Sequence, residues 1–357
     1  MRIHARELEE GYILEKDIIG KTGRPIVRQQ TVLTDEHIRF IHAFLVEDVY
    51  VSPKTIDGEH VKPSKKTMHK IDPTQPQRPI RYMYENAVQF MIDHFQTWRQ
   101  HLAVDMPAIR YQMIPLLDRV EEEKSFLQRV HLYATNESYM YHHSVAMSLL
   151  SSYVARRIGY DRGESIQVGL AALFADSGMS HIDEKIPTSS RPLRAEEVQL
   201  VHEHPLYSYR MVEPIQTLTQ GAKVAVLQHH ERLNGTGYPL GVQGKRIHPY
   251  AHIIAVCDMY HAMASERPYQ EKQSIYRICE EIWEERNVTL QGKAVEAFVD
   301  EFAPLSVGNP VVLSNGKRGK IVFIHPDQPM RPIIQIHDTD ELYPLGDYRD
   351  IYIEEIL

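Results

Sequence analysis

Apolar side chains recur every three or four residues through the middle of the chain. The spacing is clear after Tyr82, where Ala87, Met91 and Phe95 would share one helical face. It returns in an apolar segment that follows His143, and in the apolar runs 168–175 and 253–257. Such spacing is typical of helices that bury one face in a core. We therefore predict a mainly α-helical domain over residues 81–304.

The two ends of the chain carry a different pattern. Residues 1–60 alternate short β-prone runs with turns and contain one amphipathic helix after Thr34, which predicts a small N-terminal α+β module. Residues 305–357 contain short β-prone runs around the turn Asn315-Gly316, which predicts a small C-terminal β-barrel-like appendage. Residues 61–80 are rich in lysine and proline, a composition typical of a linker.

Histidines and aspartates stand at the edges of the apolar helical segments. Six of them are candidate metal ligands: His143, Asp176, His204, His229, His230 and Asp258. A buried carboxylate or imidazole is costly unless it is paired or bound to a metal, and imidazole suits first-row metal ions. The pair His229-His230 alone could be two surface histidines before a glycine-rich loop. The larger set favours a metal site.

The order of these residues resembles the HD-GYP family of phosphohydrolases. The resemblance covers residues 137 to 302. It rests on these residues: His143-Ser144, Asp176, Gly178, His204-Pro205, His229-His230-Glu231, Asn234 to Pro239, Asp258 and Arg267-Pro268-Tyr269. It implies an HD-type helical bundle that holds one or two divalent transition metal ions, such as Fe or Mn, and hydrolyses cyclic di-GMP.

The resemblance also implies a role for each matched residue. The first metal would take His143, Asp176 and Asp258. Asp176, the candidate catalytic residue, would bridge to a second metal completed by His204, His229 and His230. The loop Gly237-Tyr238-Pro239 would line the substrate mouth, and Arg267 would face a substrate phosphate.

Four positions depart from the family pattern. Ala175 replaces the histidine of the His-Asp dyad and removes a metal ligand. Met179, His261 and Gln270 stand where the family usually has charged residues, which we expect near the phosphate or the metals. Since each lost electrostatic contact typically costs about 10²–10³ in rate, we expect reduced activity.

Three functions fit this sequence. The first is a metal-dependent cyclic di-GMP phosphodiesterase of reduced activity. The second is a catalytically silent member that regulates by binding metal, nucleotide or a protein partner. The third is an HD-type hydrolase of another nucleotide or phosphate ester.

Composition limits the partners and the setting. The 357 residues carry a net charge of −8, which argues against a broad nucleic-acid or anionic-membrane surface. Cys257 and Cys279 lie in apolar or helical contexts and are expected to be reduced. No apolar run approaches the ~20 residues that span a bilayer, so we expect a cytoplasmic protein. The helices before the HD-GYP segment could pair in a homodimer.

Overall fold

The computed structural model describes most of the chain. The described residues are 2–4, 8–19, 25–43, 46, 48–52, 54–56, 79–134, 138–187, 191–265, 273–337 and 339–357. The predicted linker, apart from residues 79 and 80, lies outside them. Contacts divide the chain into two compact units, Met1–Pro79 with Asp105–Pro115, and Ile80–Val104 with Leu116–Leu357. The domain boundaries drawn from the sequence stay predictions.

The first unit contains short strands and a helix. Strand β1 (Arg2–His4) pairs with β4 (Asp48–Tyr50), and β2 (Ile18–Ile19) pairs with β3 (Pro25–Val27), both antiparallel. Helix α1 (Asp35–Ala43) begins directly after Thr34, as predicted, with two acidic residues in its first turn. The hydrophobic core of this unit includes Leu14, Leu33 and Ile41.

Helices make up most of the second unit. Their bounds are α2 (Ile80–Arg99), α3 (Met106–Val120, begun in the first unit), α4 (Lys124–Leu127), α5 (Tyr139–Ile158), α6 (Arg162–Phe174), α7 (Ala195–Val201), α8 (His204–Val212), α9 (Gln220–Gln228), α10 (Pro249–Ala264), α11 (Ile275–Glu284) and α12 (Gly292–Phe302). The chain is thus mainly helical, as predicted. Among the described residues, none of these helices combines the length and apolar character that crossing a lipid bilayer requires.

Helices α5 and α6 form the centre of this unit. Every residue of α5 from His143 to Ala155 is buried, which is typical of a helix surrounded by others. The two helices are joined by Gly159, at φ 108°, and by a capping box between Asp161 and Glu164. They pack closely because Gly169 has no side chain: a Cβ there would lie 3.0 Å from the Ser148 carbonyl oxygen.

The C-terminal strands form one antiparallel sheet. Strands β5 (Pro310–Leu313), β6 (Arg318–His325), β7 (Gln328–Ile336), β8 (Leu342–Pro344) and β9 (Ile353–Ile356) are ordered β8-β7-β6-β5-β9. Asn315-Gly316 lies in the turn between β5 and β6, as predicted, with Gly316 at φ 81°. Within the described residues β8 and β9 are the edge strands, and they do not pair with each other. The small sheet is therefore confirmed, whereas its closure into a barrel is not.

The predicted cysteine state agrees with the structure. Cys257 and Cys279 are buried free thiols on α10 and α11. Burial raises the pKa of both thiols, that of Cys257 to about 12. They act as small apolar side chains of the core.

Arg331 on β7 ties the sheet to α11 and to the turn after β8. Its guanidinium pairs with the carboxylate of Glu280 and donates to the carbonyl oxygens of Leu345, Tyr348, Arg349 and Ile351. The two charged side chains are only 11% and 4% exposed. Removing one partner of such a buried pair leaves the other uncompensated.

We predict that Arg331→Ala lowers the free energy of unfolding by about 3–5 kcal/mol, because the buried Glu280 keeps only its 3.4 Å contact with Arg277 and the four carbonyls lose their donor. Urea unfolding followed by tryptophan fluorescence measures this, since one of the two tryptophans, Trp283, donates to the Asp327 carbonyl near the sheet. The control Arg318→Ala changes an exposed arginine of the same sheet and should stay within about 0.5 kcal/mol of the parent. Equal stability of the two variants would contradict the role given to Arg331.

Candidate metal centre

The ends of three helices deliver most of the candidate ligands to one place. Asp176 follows α6 after the cap residue Ala175, His204 is the first residue of α8, and His229 and His230 follow α9. Pro205 suits the first turn of α8, because a helix has no acceptor for that N–H. Helices α5 and α10 add His143 and Asp258. The structure therefore brings all six candidate ligands together.

Asp176 lies at the centre of this cluster. Its Oδ1 is 3.1 Å from Nε2 of His204 and 3.7 Å from Nε2 of His229. Its Oδ2 is 3.3 Å from Nε2 of His143. Ligand atoms of Asp176, His204, His229 and His230 all lie within 4.8 Å of one another. These four residues are the set that sequence reasoning assigned to the second metal.

The ring orientations of His204 and His229 suit a metal ion. Nδ1 of His204 donates to the Val201 carbonyl oxygen at 2.7 Å, and Nδ1 of His229 donates to that of Val226 at 2.8 Å. In the neutral rings, Nε2 then carries a lone pair, and the two Nε2 atoms are 3.3 Å apart beside a carboxylate oxygen. Three such atoms repel one another unless a cation lies among them. Backbone acceptors that fix the ligand tautomer are typical of metal-binding histidines.

The other half of the cluster contains His143, Asp258 and His230. Nε2 of His143 is 3.2 Å from Oδ1 of Asp258, and Nδ1 of His230 is 3.3 Å from Oδ2 of the same carboxylate. His230 thus contacts Asp258 as well as joining the four-residue set. The residues assigned to the first metal, His143, Asp176 and Asp258, are in contact through the His143 ring.

The charges in the cluster depend on one another. Burial would raise the pKa of Asp176, but its contacts with His143, His204 and His229 hold it well below its usual range. Burial would lower the pKa of His143, yet Tyr139, Asp176 and Asp258 hold it well above its usual value. A metal ion on Nε2 of His143 would therefore displace a proton.

His261, at a position expected near the phosphate or the metals, contacts the ring of the candidate ligand His143. Nδ1 of the fully buried His261 is 2.9 Å from Nδ1 of His143, and the Tyr139 hydroxyl is 3.1 Å from the same atom. An imidazole and a phenol thus surround the atom of His143 that faces away from Asp176. The residue at position 261 therefore contacts the candidate ligand His143 at Nδ1, the ring nitrogen that does not face the carboxylates.

Ser208 fixes the turn that carries Asp176. Its hydroxyl donates to the Ala175 carbonyl oxygen and accepts from the Gly178 N–H, both at 2.7 Å. Gly178 packs against α8 so closely that a Cβ would lie 2.2 Å from the His204 carbonyl oxygen. Sequence reasoning missed Ser208, although its spacing of four residues from His204 places both on one face of α8.

Glu231 holds the glycine-rich loop. Its buried carboxylate accepts from the N–H groups of Leu240 at 2.7 Å and Val242 at 3.1 Å. Gly237 lies against the start of the same loop, where a Cβ would be 2.4 Å from the His230 carbonyl oxygen. The sequence motif included Glu231 but gave it no role.

The loop places Tyr238 over the cluster. The Tyr238 ring lies 4.6 Å from that of His230 and stacks on His202 at 3.8 Å with an interplanar angle of 12°. Burial, together with Asp258 and Asp176, raises the pKa of Tyr238, so its hydroxyl stays protonated. Tyr238 therefore borders the cluster, and Gly237 lies against the His230 backbone, while the role of Pro239 at a substrate mouth stays a prediction. The contact with His202 was not anticipated from the sequence.

The expectation that Arg267 faces a substrate phosphate stays a prediction. Arg267 and Gln270 lie outside the described residues. Arg232 lies near Tyr238, but its guanidinium donates to the carbonyl oxygens of His229 and Glu231. Sequence reasoning did not single out Arg232.

The residues of this cluster lie in a segment that is similar to known proteins. Residues 126–290 match the family model described as HD domain. A cyclic di-GMP phosphodiesterase of Pseudomonas aeruginosa is 31% identical over 206 residues, which cover 57% of this chain and 49% of that protein. A cyclic di-GMP phosphodiesterase response regulator of Xanthomonas campestris is 30% identical over 155 residues, 43% of this chain and 41% of that protein.

Two further proteins are similar to this chain. A 3'3'-cGAMP-specific phosphodiesterase of Vibrio cholerae is 31% identical over 136 residues, 37% of this chain and 29% of that protein. A solved structure described as an HDG"Y"P protein from Bdellovibrio bacteriovorus has a TM-score of 0.44 at 14% identity, covering 84% of this chain and 98% of that one. The chain spans about half the length, or less, of these curated relatives.

The predicted resemblance is confirmed by the family match, which includes all six candidate ligands and the Tyr238 loop. The part of the chain that forms the candidate metal centre, residues 126–290, is the part that matches the HD domain family.

Proposed function

We propose that this protein is a metal-dependent phosphodiesterase of the HD-GYP type that hydrolyses cyclic di-GMP. The observation that carries the proposal is the cluster around Asp176, where two imidazole nitrogens and a carboxylate oxygen face one another. The names of several relatives support the substrate class, since they are cyclic di-GMP or cGAMP phosphodiesterases.

The residues fit one or two divalent transition metal ions, with iron or manganese as candidates. Asp176, His204, His229 and His230 would hold one ion, a complete set of three imidazoles and one carboxylate. His143, Asp176 and Asp258 would hold another. When bound, such ions activate a water molecule and neutralise charge on the phosphodiester oxygens.

The protein's own groups set the geometry of this reaction. Asp176 contacts histidines of both sets and so fixes their separation. The carbonyl oxygens of Val201 and Val226 hold the rings of His204 and His229 in one tautomer. Tyr238, held by the loop that Glu231 anchors, covers His230 and keeps bulk water from that side of the cluster.

Ala175 and Met179 support a reduced rate. Ala175 is a buried methyl next to Asp176 and supplies no ligand, while Met179 is a neutral thioether on the turn that follows. A site that lacks a ligand and a cation should stabilise the transition state less well. The same two residues favour the alternative, a silent member that binds metal, nucleotide or a protein partner.

A homodimer through the helices before the HD domain stays a prediction. The apolar face of α2, which includes Tyr84, Met91, Phe95 and Trp98, is already buried within the second unit. Pairing would therefore use another face of α2, where Tyr82 is exposed.

We predict that replacing both His229 and His230 by alanine removes the ion of the complete set, because two of its four ligands are lost, so that the metal content falls by one ion per chain. Metal per chain is measured by mass spectrometry of purified protein. The control His325→Ala removes a histidine that is 59% exposed on the C-terminal sheet and should keep the parental metal content. Unchanged metal in the double variant would refute the assignment.

We predict slow hydrolysis of cyclic di-GMP in the presence of Mn or Fe, and none above background for Asp176→Asn, which loses a ligand common to both metal sets. Turnover is followed by chromatography of the products. A parent protein that contains metal but turns over no faster than Asp176→Asn would favour the silent alternative.

We predict that Ser208→Ala weakens metal binding by about 10–100-fold, because Asp176 loses the hydroxyl that fixes its turn. The measurement is competition with a chelator of known affinity. Ser165→Ala, which removes a buried hydroxyl bonded to the Arg162 carbonyl oxygen at the far end of α6, should leave the affinity unchanged. Equal effects of the two substitutions would argue against a positioning role for Ser208.

A further inference from the structure

His202 belongs to none of the ligand sets and lies at the edge of the metal centre. It follows α7 and precedes α8 by two positions, and its side chain is exposed. One face of its imidazole is covered by Tyr238, with ring centroids 3.8 Å apart and planes within 12°. Since the side chain is exposed while one face is covered, the opposite face is open to solvent.

The rings of His202, Tyr238 and His230 lie in a row, with Tyr238 stacked on His202 and tilted by 30° to His230. Tyr238 lies between the other two, 4.6 Å from the His230 ring. The inner end of the row is a candidate metal ligand, and Tyr238 is held by the loop whose backbone Glu231 binds. The His202 ring is therefore held in place by Tyr238, so its side chain has little conformational freedom to lose when a ligand binds.

We infer that the open face of His202 is a stacking site for a purine base of the substrate. This rests on the proposed function, because the phosphodiester must then bind at the metal centre. Cyclic di-GMP carries two bases and two phosphodiester groups, so a base can lie on the open face of His202 while a phosphodiester lies at the metal centre. The rings of His202 and Tyr238 would separate that base from the ligand His230. Histidine is among the side chains on which nucleobases stack, and such stacking tolerates different bases.

The test measures binding by the full-length, metal-loaded protein. Titration calorimetry with GMP, which has no diester to hydrolyse, gives the Kd of a stable purine ligand, and cyclic di-GMP is titrated in parallel. We expect His202→Ala to raise both Kd values about tenfold. His202→Phe keeps a flat ring on Tyr238 and should return them to within about twofold of the parent.

Two controls separate base stacking from other effects. Inorganic phosphate, which has no base, should bind the parent and His202→Ala equally, and both should contain the same amount of metal. Leu200→Ala changes another exposed side chain of the same segment, 45% exposed, and should bind GMP as the parent does.

The outcomes distinguish this inference from the proposed function. Equal nucleotide affinity of the parent and His202→Ala overturns the stacking site and leaves the phosphodiesterase proposal intact. Weaker binding of phosphate together with nucleotide also overturns it, because His202 would then act on the metal centre. A parent protein that binds neither nucleotide overturns both proposals.

Discussion

The arrangement of the candidate metal centre depends on one partly buried carboxylate. Asp176, whose side chain is 17% exposed, lies among three imidazoles at contact distances of 3.1 to 3.7 Å, where an unpaired charge would be costly. The ionised Asp176 carboxylate is stable in this position only with positive charge nearby, either from protons on the histidines or from a metal ion. The two requirements compete, because a histidine that binds metal must give up its proton. Folding and metal binding are therefore linked at this residue.

This constraint explains why so many helices end at one point. Helices α6 and α9 stop just before Asp176 and His229, and α8 starts at His204. A ligand at a helix end can be fixed by backbone groups, as the carbonyls of Val201 and Val226 do for two of the rings. The close contact of α5 with α6 at Gly169 and of the Asp176 turn with α8 at Gly178 keeps these ends together. Small residues at these contacts therefore serve the site as well as the core.

Much of this could be predicted from the sequence, for physical reasons that are local. Helical periodicity identified the helices, Asn315-Gly316 identified a hairpin, and the ordered motif identified the six candidate ligands. Contacts between distant segments could not be predicted in the same way. Nothing at position 202 indicates that His202 meets Tyr238, and nothing at position 261 indicates that its ring lies behind His143. The open form of the C-terminal sheet depends on the pairing of distant strands, which alternation alone does not specify.

Different groups orient the histidines in the two halves of the centre. This difference decides what Ala175 and His261 affect. Around His204 and His229 each ring donates to a backbone carbonyl, so the acceptor cannot be removed by substitution and the tautomer is fixed. Around His143 the corresponding atom faces the His261 ring and the Tyr139 hydroxyl. A carboxylate there would raise the basicity of the ligand, and neutral groups do so less. Ala175, in the same half, adds no ligand. We therefore expect Ala175 and His261 to weaken the same half of the centre, while the half anchored by backbone carbonyls has the four-residue set of Asp176, His204, His229 and His230.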